Sequence, residues 1–503
     1  MNRSYLTILK GGSLAAAMIA LTAGSALADY PAGSYVLSAD GTTLQEWKGA
    51  ETTIDMNSDA ALAAVTTIGN NAFRGLDITD ITIGDKVNTV GKWAFFGCSK
   101  LTNVKFPDAL TLIDNAAFSG CSAIETIAIP NGMTELSNSV FYDCSALKTV
   151  TLPSTLKSIG SGSFANCSSL TGIALPAELT TISEEAFSAC SALTEIALPE
   201  SVTLIGSGAF EECSALKTVT FGSKIQEFES SAFTESGLTS VDLSKITGAV
   251  SFGTNVFASC PDLAEVKLPA NVDYVGTGLL QNCKALTALT IPDTWNEIPS
   301  KICYGCSALK TLDMGSGVEG IRNGAFFECD LSELTWSPAI TTIDWNVFYG
   351  CTGITDLTLP AGVKTVDDYS FSCLPALRTV HIGPDAESFG VECFSTCPLL
   401  EKVVCEAVTP PTLGNYAFYK SNVENATLEV PSGSIDAYKA AEQWKDFLTV
   451  TDINTGIGSI TATADSYTVV TLDGKVLLRG AKSLDTLPAG LYIINGKKVV
   501  VNY

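Results

Sequence analysis

The sequence predicts a β-rich solenoid of about sixteen coils, and three observations carry that reading. Cysteines stand at 98, 121, 144, 167, 190 and 213, each 23 residues after the last, and 260, 283, 306 and 329 resume the same step. A phenylalanine precedes most of them by three residues, as at Phe95, Phe118, Phe141, Phe164, Phe187 and Phe210. Between them runs an alternating stretch such as Val150-Thr151-Leu152, the mark of a half-buried strand. A fixed period means stacked units, none of which buries its own apolar face alone.

The 503 residues are 46% hydrophobic and 16% charged, enough for a large core. Residues 1–28 carry Arg3 and Lys10, then "LAAAMIALTAGSALA" ending at Ala28, and read as a secretory signal peptide. The chain is expected to be exported, secreted or held at a bacterial cell surface. No later apolar run reaches the length of a membrane helix, so no membrane insertion is expected after cleavage. A net charge of −24, from 29 basic and 53 acidic residues, excludes nucleic acid and anionic lipid as partners. His381 is the single histidine, which excludes a histidine-based triad and any metal site needing two imidazoles. No cofactor or metal is expected.

Residues 29–60 lack the repeat and are expected to cap the first coil, with Trp47 as a packing residue. Residues 61–425 hold the repeats, in which leucine, valine and isoleucine recur at fixed offsets, as at Leu147, Val150, Leu152, Leu156 and Ile159. Pro153 ends the first strand, a second short strand leads to Ile159, and Gly160 turns the chain into an Ala-Phe segment expected to form a single helical turn. The cysteine column continues to Cys351, Cys373 and Cys397 at steps of 22, 22 and 24. Sixteen coils rising about 5 Å each would make a rod roughly 80 Å long.

These residues resemble the BspA-like leucine-rich-repeat surface proteins of anaerobic bacteria. The family unit LxxIxLPxxLxxIGxxAFxxC is matched by "LTEIALPESVTLIGSGAFEEC" from Leu193 to Cys213. The resemblance implies a leucine-rich-repeat superhelix, non-enzymatic, mediating adhesion or protein–protein interaction with host matrix or other cells. An alternative from another class is a glycan-binding component of a surface nutrient-capture system. Departures are local: Ser236 replaces the cysteine, Cys303 the phenylalanine, and the unit from Cys405 to Phe418 is stretched.

Neighbouring coils place equivalent side chains about 4.8 Å apart and parallel, whereas a disulfide needs converging Cβ atoms near 3.8 Å. Cys98, Cys121, Cys144, Cys167, Cys190, Cys213, Cys260, Cys283, Cys306, Cys329, Cys351, Cys373 and Cys397 are therefore expected to form a structural ladder of reduced thiols. Each would act as a small apolar residue with a weak S–H donor for the turn backbone. Cys303 and Cys306 spell a C-x-x-C, but both fall in repeat slots. "GSGVEG" from Gly315 to Gly320 matches a dinucleotide fingerprint, yet it sits between two repeat strands rather than before a long helix.

No catalytic residue stands out. Glu184 and Glu185, Glu211 and Glu212, and Asp367 and Asp368 fall on variable positions; a hydrolase would need two acids facing across a cleft. Outward strand positions such as Thr126, Ala128, Thr149, Thr151 and Thr218 are short, giving a flat, mildly polar sheet suited to an extended partner. One column is unusual: Tyr304, Phe327 and Tyr349 follow the phenylalanine slot in three consecutive coils, with Trp345 nearby in sequence. They either anchor an extracellular protein or glycan ligand or cover the seam left by Cys303. Trp295 and Trp336 fall in leucine slots and are expected in the core.

Residues 426–452 are expected to close the array, with Ile435, Tyr438, Ala441 and Trp444 on one helical face and Ser434 as N-cap. Residues 453–503 read as a small β module, with hairpin turns at Asp473-Gly474 and Asn495-Gly496. Leu487 to Val501 is similar to a type IX secretion sorting domain.

Overall fold

The computed structural model describes residues 29–453 and, of the remainder, 467–471, 475–481, 487, 490–494 and 497–501. The signal peptide expected over residues 1–28 and the hairpin turns expected at 473–474 and 495–496 lie outside the described residues.

Each coil has three sides. The first carries strands such as Thr126–Ala128 and Thr149–Thr151, which run parallel with Val150 opposite Ile127. Their threonines face outward while Ile127 and Val150 point into the core. Pro153 follows and cannot donate to a ladder, which keeps the strand short. The second side carries two-residue strands such as Ser158–Ile159 and Thr181–Ile182, again parallel. A Cβ on Gly160 would lie 2.5 Å from the Leu136 carbonyl oxygen of the preceding coil, so the coil spacing itself demands glycine there.

The third side corrects the expected helical turn. The residues two before and two after each phenylalanine are left-handed, as at Trp93 (φ 56°) and Gly97 (φ 70°) around Phe95, or Glu185 and Ala189 around Phe187. A right-handed helix cannot contain them, so the segment is a run of interlocked turns. Alternate N–H groups then point along the stack: Trp93, Phe95 and Gly97 donate to Asn115, Ala117 and Ser119 of the next coil at 3.2, 2.7 and 2.8 Å. Three such bonds join every neighbouring pair of coils from Phe73 to Phe418.

This turn row is the uninterrupted ladder of the solenoid. The second side falls into three sheets and the first side into six, and the coil at Thr171–Leu175 contributes no first-side strand. The sixteen repeat coils begin with Thr53–Asp55, inside the stretch expected as a cap, and the closing segment adds Thr427–Val430 and Thr449–Asp452. The array thus makes about eighteen turns.

Inside, the phenylalanines stack face to face: Phe187 lies 5.4 Å from Phe164 and 5.3 Å from Phe210, with planes within 11°. Burying such a ring contributes about 1.5–3 kcal/mol and each ring pair about 0.5–1.5 more, so this column outweighs any single hydrogen bond in the coil. Both ends are lidded by aromatics. Trp47, from the hairpin Tyr35–Leu37 and Thr43–Trp47, stacks on Phe73 at 5.8 Å, and its backbone N–H takes the Ala72 carbonyl. Trp444 and Phe447 cover Phe418 at 5.7 and 5.2 Å. The closing helix spans Ile435–Ala440, and Trp444 lies in a separate turn beyond it. Ser434 makes no capping bond; its hydroxyl donates to the Val408 carbonyl at 2.6 Å.

All sixteen cysteines are free. Twelve of the thirteen ladder positions behave alike: from Cys98 to Cys397, each thiol lies 3.0–3.6 Å from the backbone carbonyl of the phenylalanine-slot residue in the coil before it. Cys373 is the exception. It occupies the left-handed position (φ 58°) two residues after Phe371 and is only half-buried, and Leu374 replaces cysteine on the rung three residues after Phe371. Cys303 fills the phenylalanine slot, Cys393 the alanine slot before Phe394, and Cys405 a strand position against the Tyr438 hydroxyl at 3.1 Å.

In the C-terminal region, Val476–Ala481, Tyr467–Val470, Gly490–Ile494 and Lys497–Val501 form an antiparallel sheet in that order, with Val469, Leu487, Tyr492 and Ile494 buried together.

Candidate functional site

The outward face of the first side follows from strand alternation, but it is not the single flat sheet the short side chains imply. The row is cut between coils, and cross-coil polar bonds tie its side chains together. Asn103 donates to Asp80 at 2.5 Å and Lys267 to Asp242 at 3.4 Å, while Thr311 donates to Glu333 at 3.0 Å. Hydrogen bonds from Thr79 and then Asn103 hold the Asp80 carboxyl below the usual range. Over the first five coils a shallow groove of about 570 Å³ runs across the strands from Thr53 to Thr151, flanked by Asp55, Asp80 and Lys105. His381 is exposed on this face, opposite Thr358 and Val404.

The aromatic column does come together. Tyr304 stacks on Phe327 at 4.5 Å and 3°, and Phe327 on Tyr349 at 4.8 Å and 5°. The turn ladder sets this spacing, because Glu328 and Gly305 donate to the Tyr349 and Phe327 carbonyls and so fix the backbone beneath each ring. All three rings are half-buried. Lys301 Nζ lies 5.7 Å from the Tyr304 ring centre. A hydrogen bond with Cys373, and then burial, push the Tyr349 hydroxyl up to about 12. Trp345 is 49% exposed but makes no ring contact with the strip among the described residues. Of the two tryptophans expected in the core, Trp295 is buried and donates to the Pro269 carbonyl at 3.1 Å, whereas Trp336 is half-buried and packs edge-on to Phe348.

The acid pairs share one side of the solenoid. Burial raises the Glu211 carboxyl first, then the negative charges of Glu212, Glu185 and Glu235 add to it. Asp367 is likewise raised, by burial and then by Asp344 and Asp368. These are crowded like charges along the turn row, not two acids across a cleft. No group of three or more metal-ligating side chains stands together among the described residues.

The sequence reading missed an open groove at the C-terminal end, between the last coil and the closing segment, with exposed Tyr416 and Tyr419 on its wall. Both tyrosines are visible in sequence, but the facing residues Glu442 and Asp446 come from beyond the repeats, where the period no longer fixes positions.

The repeat geometry, with its proline-ended strand, glycine step, stacked phenylalanine and bonded thiol, is matched by a family model, the BspA type Leucine rich repeat region (6 copies), over residues 66–194, 180–310 and 296–425. The chain belongs to the BspA-type leucine-rich-repeat family. Among solved structures, a leucine-rich repeat protein from Bacteroides ovatus shares this fold at 24% identity and a TM-score of 0.60, covering 75% of this chain and 94% of that one. A leucine rich cell surface protein from Faecalibacterium prausnitzii is 27% identical over 71% of this chain and 95% of that one, with a TM-score of 0.41. No curated protein matches. For a BspA-type chain the family supports a role in protein–protein interaction. No helix among the described residues is long and apolar enough to cross a membrane.

Proposed function

We propose that this chain is a non-enzymatic surface protein, exported and displayed outside the cell, that adheres to host matrix or other cells by binding an extracellular protein. The observation that supports a protein over a glycan at the strip is the stacking of its rings. A sugar packs its C–H face on an open ring face, and here Phe327 has both faces covered while Tyr304 is flanked by Phe327 and Lys301. Along Tyr304 and Phe327 what remains is ring edge, a surface that suits protein side chains. The outward face of the first side, polar and long, supplies the wider contact area. The test is binding of residues 29–452 to immobilised matrix proteins and mucin, beside the Tyr304→Ala, Phe327→Ala, Tyr349→Ala triple variant. Protein binding that the triple change weakens at least tenfold places the contact on the strip, with Trp345→Ala measuring how far it extends. Binding that survives moves the contact to the strand face, and absence of binding to every protein sinks the adhesin reading.

A further inference from the structure

The turn ladder ends at the Phe418 coil with no coil to receive it. In every earlier coil the N–H groups two before, at and two after the phenylalanine each meet a carbonyl, but those of Tyr416, Phe418 and Lys420 meet none among the described residues. The closing segment reaches only the neighbouring position. Gln443, itself left-handed at φ 62°, inserts its side-chain amide there: Oε1 accepts from Ala417 N at 2.7 Å and Nε2 donates to the Gly414 carbonyl at 2.5 Å. Backbone N–H groups left open by the end of the ladder, beside an open groove, are free to donate to a bound ligand in place of water.

The groove holds about 550 Å³, with Asn415, Tyr416, Tyr419, Glu442 and Asp446 on its walls and Phe418 among its lining. Tyr416 is 64% exposed and Tyr419 50%. Their rings meet edge to face at 5.7 Å and 66°, so Tyr416 keeps an open ring face, unlike the sandwiched rings of the strip. We propose that this groove binds a short neutral oligosaccharide. The ring face takes the C–H side of a sugar, the carboxylates and the Asn415 amide accept from its hydroxyls, and the open N–H row donates to hydroxyl oxygens. Glu442 and Asp446 line the groove of a chain with net charge −24, against the Lys420 ammonium 5.1 Å from the Tyr419 ring centre, and this balance disfavours sialylated or sulfated sugars.

Other occupants fit less well. A β-strand carries its N–H and C=O on the same side, so it would bring donors against a row made only of donors. A second copy would have to offer the carbonyl end of its own ladder, but there the cap covers the first coil and Trp47 N already holds the Ala72 carbonyl at 2.8 Å. The proposal goes beyond protein binding at the strip and does not depend on it.

The test titrates the full chain calorimetrically with neutral trisaccharides of gluco, manno, galacto and N-acetylglucosamine type, beside sialylated and sulfated counterparts. Tyr416→Ala and the Tyr304→Ala, Phe327→Ala, Tyr349→Ala variant run in parallel, each checked by circular dichroism. The expected result is binding of at least one neutral sugar that Tyr416→Ala weakens tenfold or more and the strip variant leaves unchanged. Binding of charged sugars only, binding that Tyr416→Ala leaves intact, or no sugar binding at all overturns the proposal. Tyr416→Ala abolishing capture of a matrix protein when no sugar binds makes the groove a peptide site instead, which also overturns it.

Discussion

Raising the pH from 8 to 10.5 should collapse this solenoid through its thiols. Burial pushes Cys98 up to about 11 and Cys190, Cys351 and Cys397 to about 12, from an ordinary value of 9.0. Cys121, Cys144, Cys167, Cys213, Cys283, Cys303, Cys329, Cys393 and Cys405 shift the same way. Burial is the leading cause in each but Cys283, where the hydrogen bond with Cys260 comes first. Cys260 moves the other way, held down by that same bond. A thiol whose folded value lies above its unfolded one adds its full stability below pH 9 and loses it as the pH climbs toward 11, because only the unfolded chain can release the proton. Above pH 9 the unfolded thiols release protons that the buried ones keep, so each costs on the order of 1 kcal/mol at pH 10 and the column together on the order of 10 kcal/mol. That matches the roughly 5–15 kcal/mol that holds an ordinary domain and is a large share of what a longer array can have. The assay follows far-ultraviolet circular dichroism and thiolate absorbance together. The expected result is one steep transition between pH 9 and 10.5 in which both change at once. A smooth thiolate titration centred near 9, in a chain that keeps its dichroism, would refute the buried donor ladder.

Three further outcomes follow from the same geometry. Phe187→Ala removes a ring stacked on both sides and should cost about 3–5 kcal/mol; because coils touch only their neighbours, urea unfolding should split into two transitions rather than shift as one. Gly97→Ala has open space around the new methyl but a φ of +70°, so the expected loss is about 1–2 kcal/mol from backbone strain, read as a lowered melting temperature. Gln443→Ala removes both bonds of the inserted amide and should destabilise the closing segment by about 1–3 kcal/mol, seen as faster amide exchange at Ala417 with the central coils unchanged.

The stack was legible because the repeat writes the same inward residues at the same offsets, so Ile127, Val150 and Ile159 identify both strand rows without reference to distant contacts. The thiols were legible for the same reason, since a parallel column offers no converging pair. Cys373 was misplaced because counting steps between cysteines hides a substitution on the rung, whereas counting from Phe371 puts Leu374 there and Cys373 one position before it. The helical turn was misread although the signal was present. Asparagine and glycine recur on either side of the phenylalanine, as at Asn71 and Gly75 around Phe73 or Asn346 and Gly350 around Phe348, and those residues mark left-handed backbone. The breaks along the first row depend on how coils tilt against each other, which no single unit encodes. The terminal groove was hidden because its walls come from two segments with no shared period.

The turn row has one more consequence, and it is electrical. The peptide between Asn115 and Ala116 points its C=O back to Trp93 and its N–H forward to Asn138, and two more peptides in that coil are aligned with it. Each peptide carries a dipole of about 3.5 D, and aligned dipoles add. That row therefore carries aligned dipoles with the positive end toward the C-terminal coil, the reverse of an α-helix, while N–H groups of the second side, such as those of Thr111 and Asp114 donating back to Asn88 and Val90, point the other way.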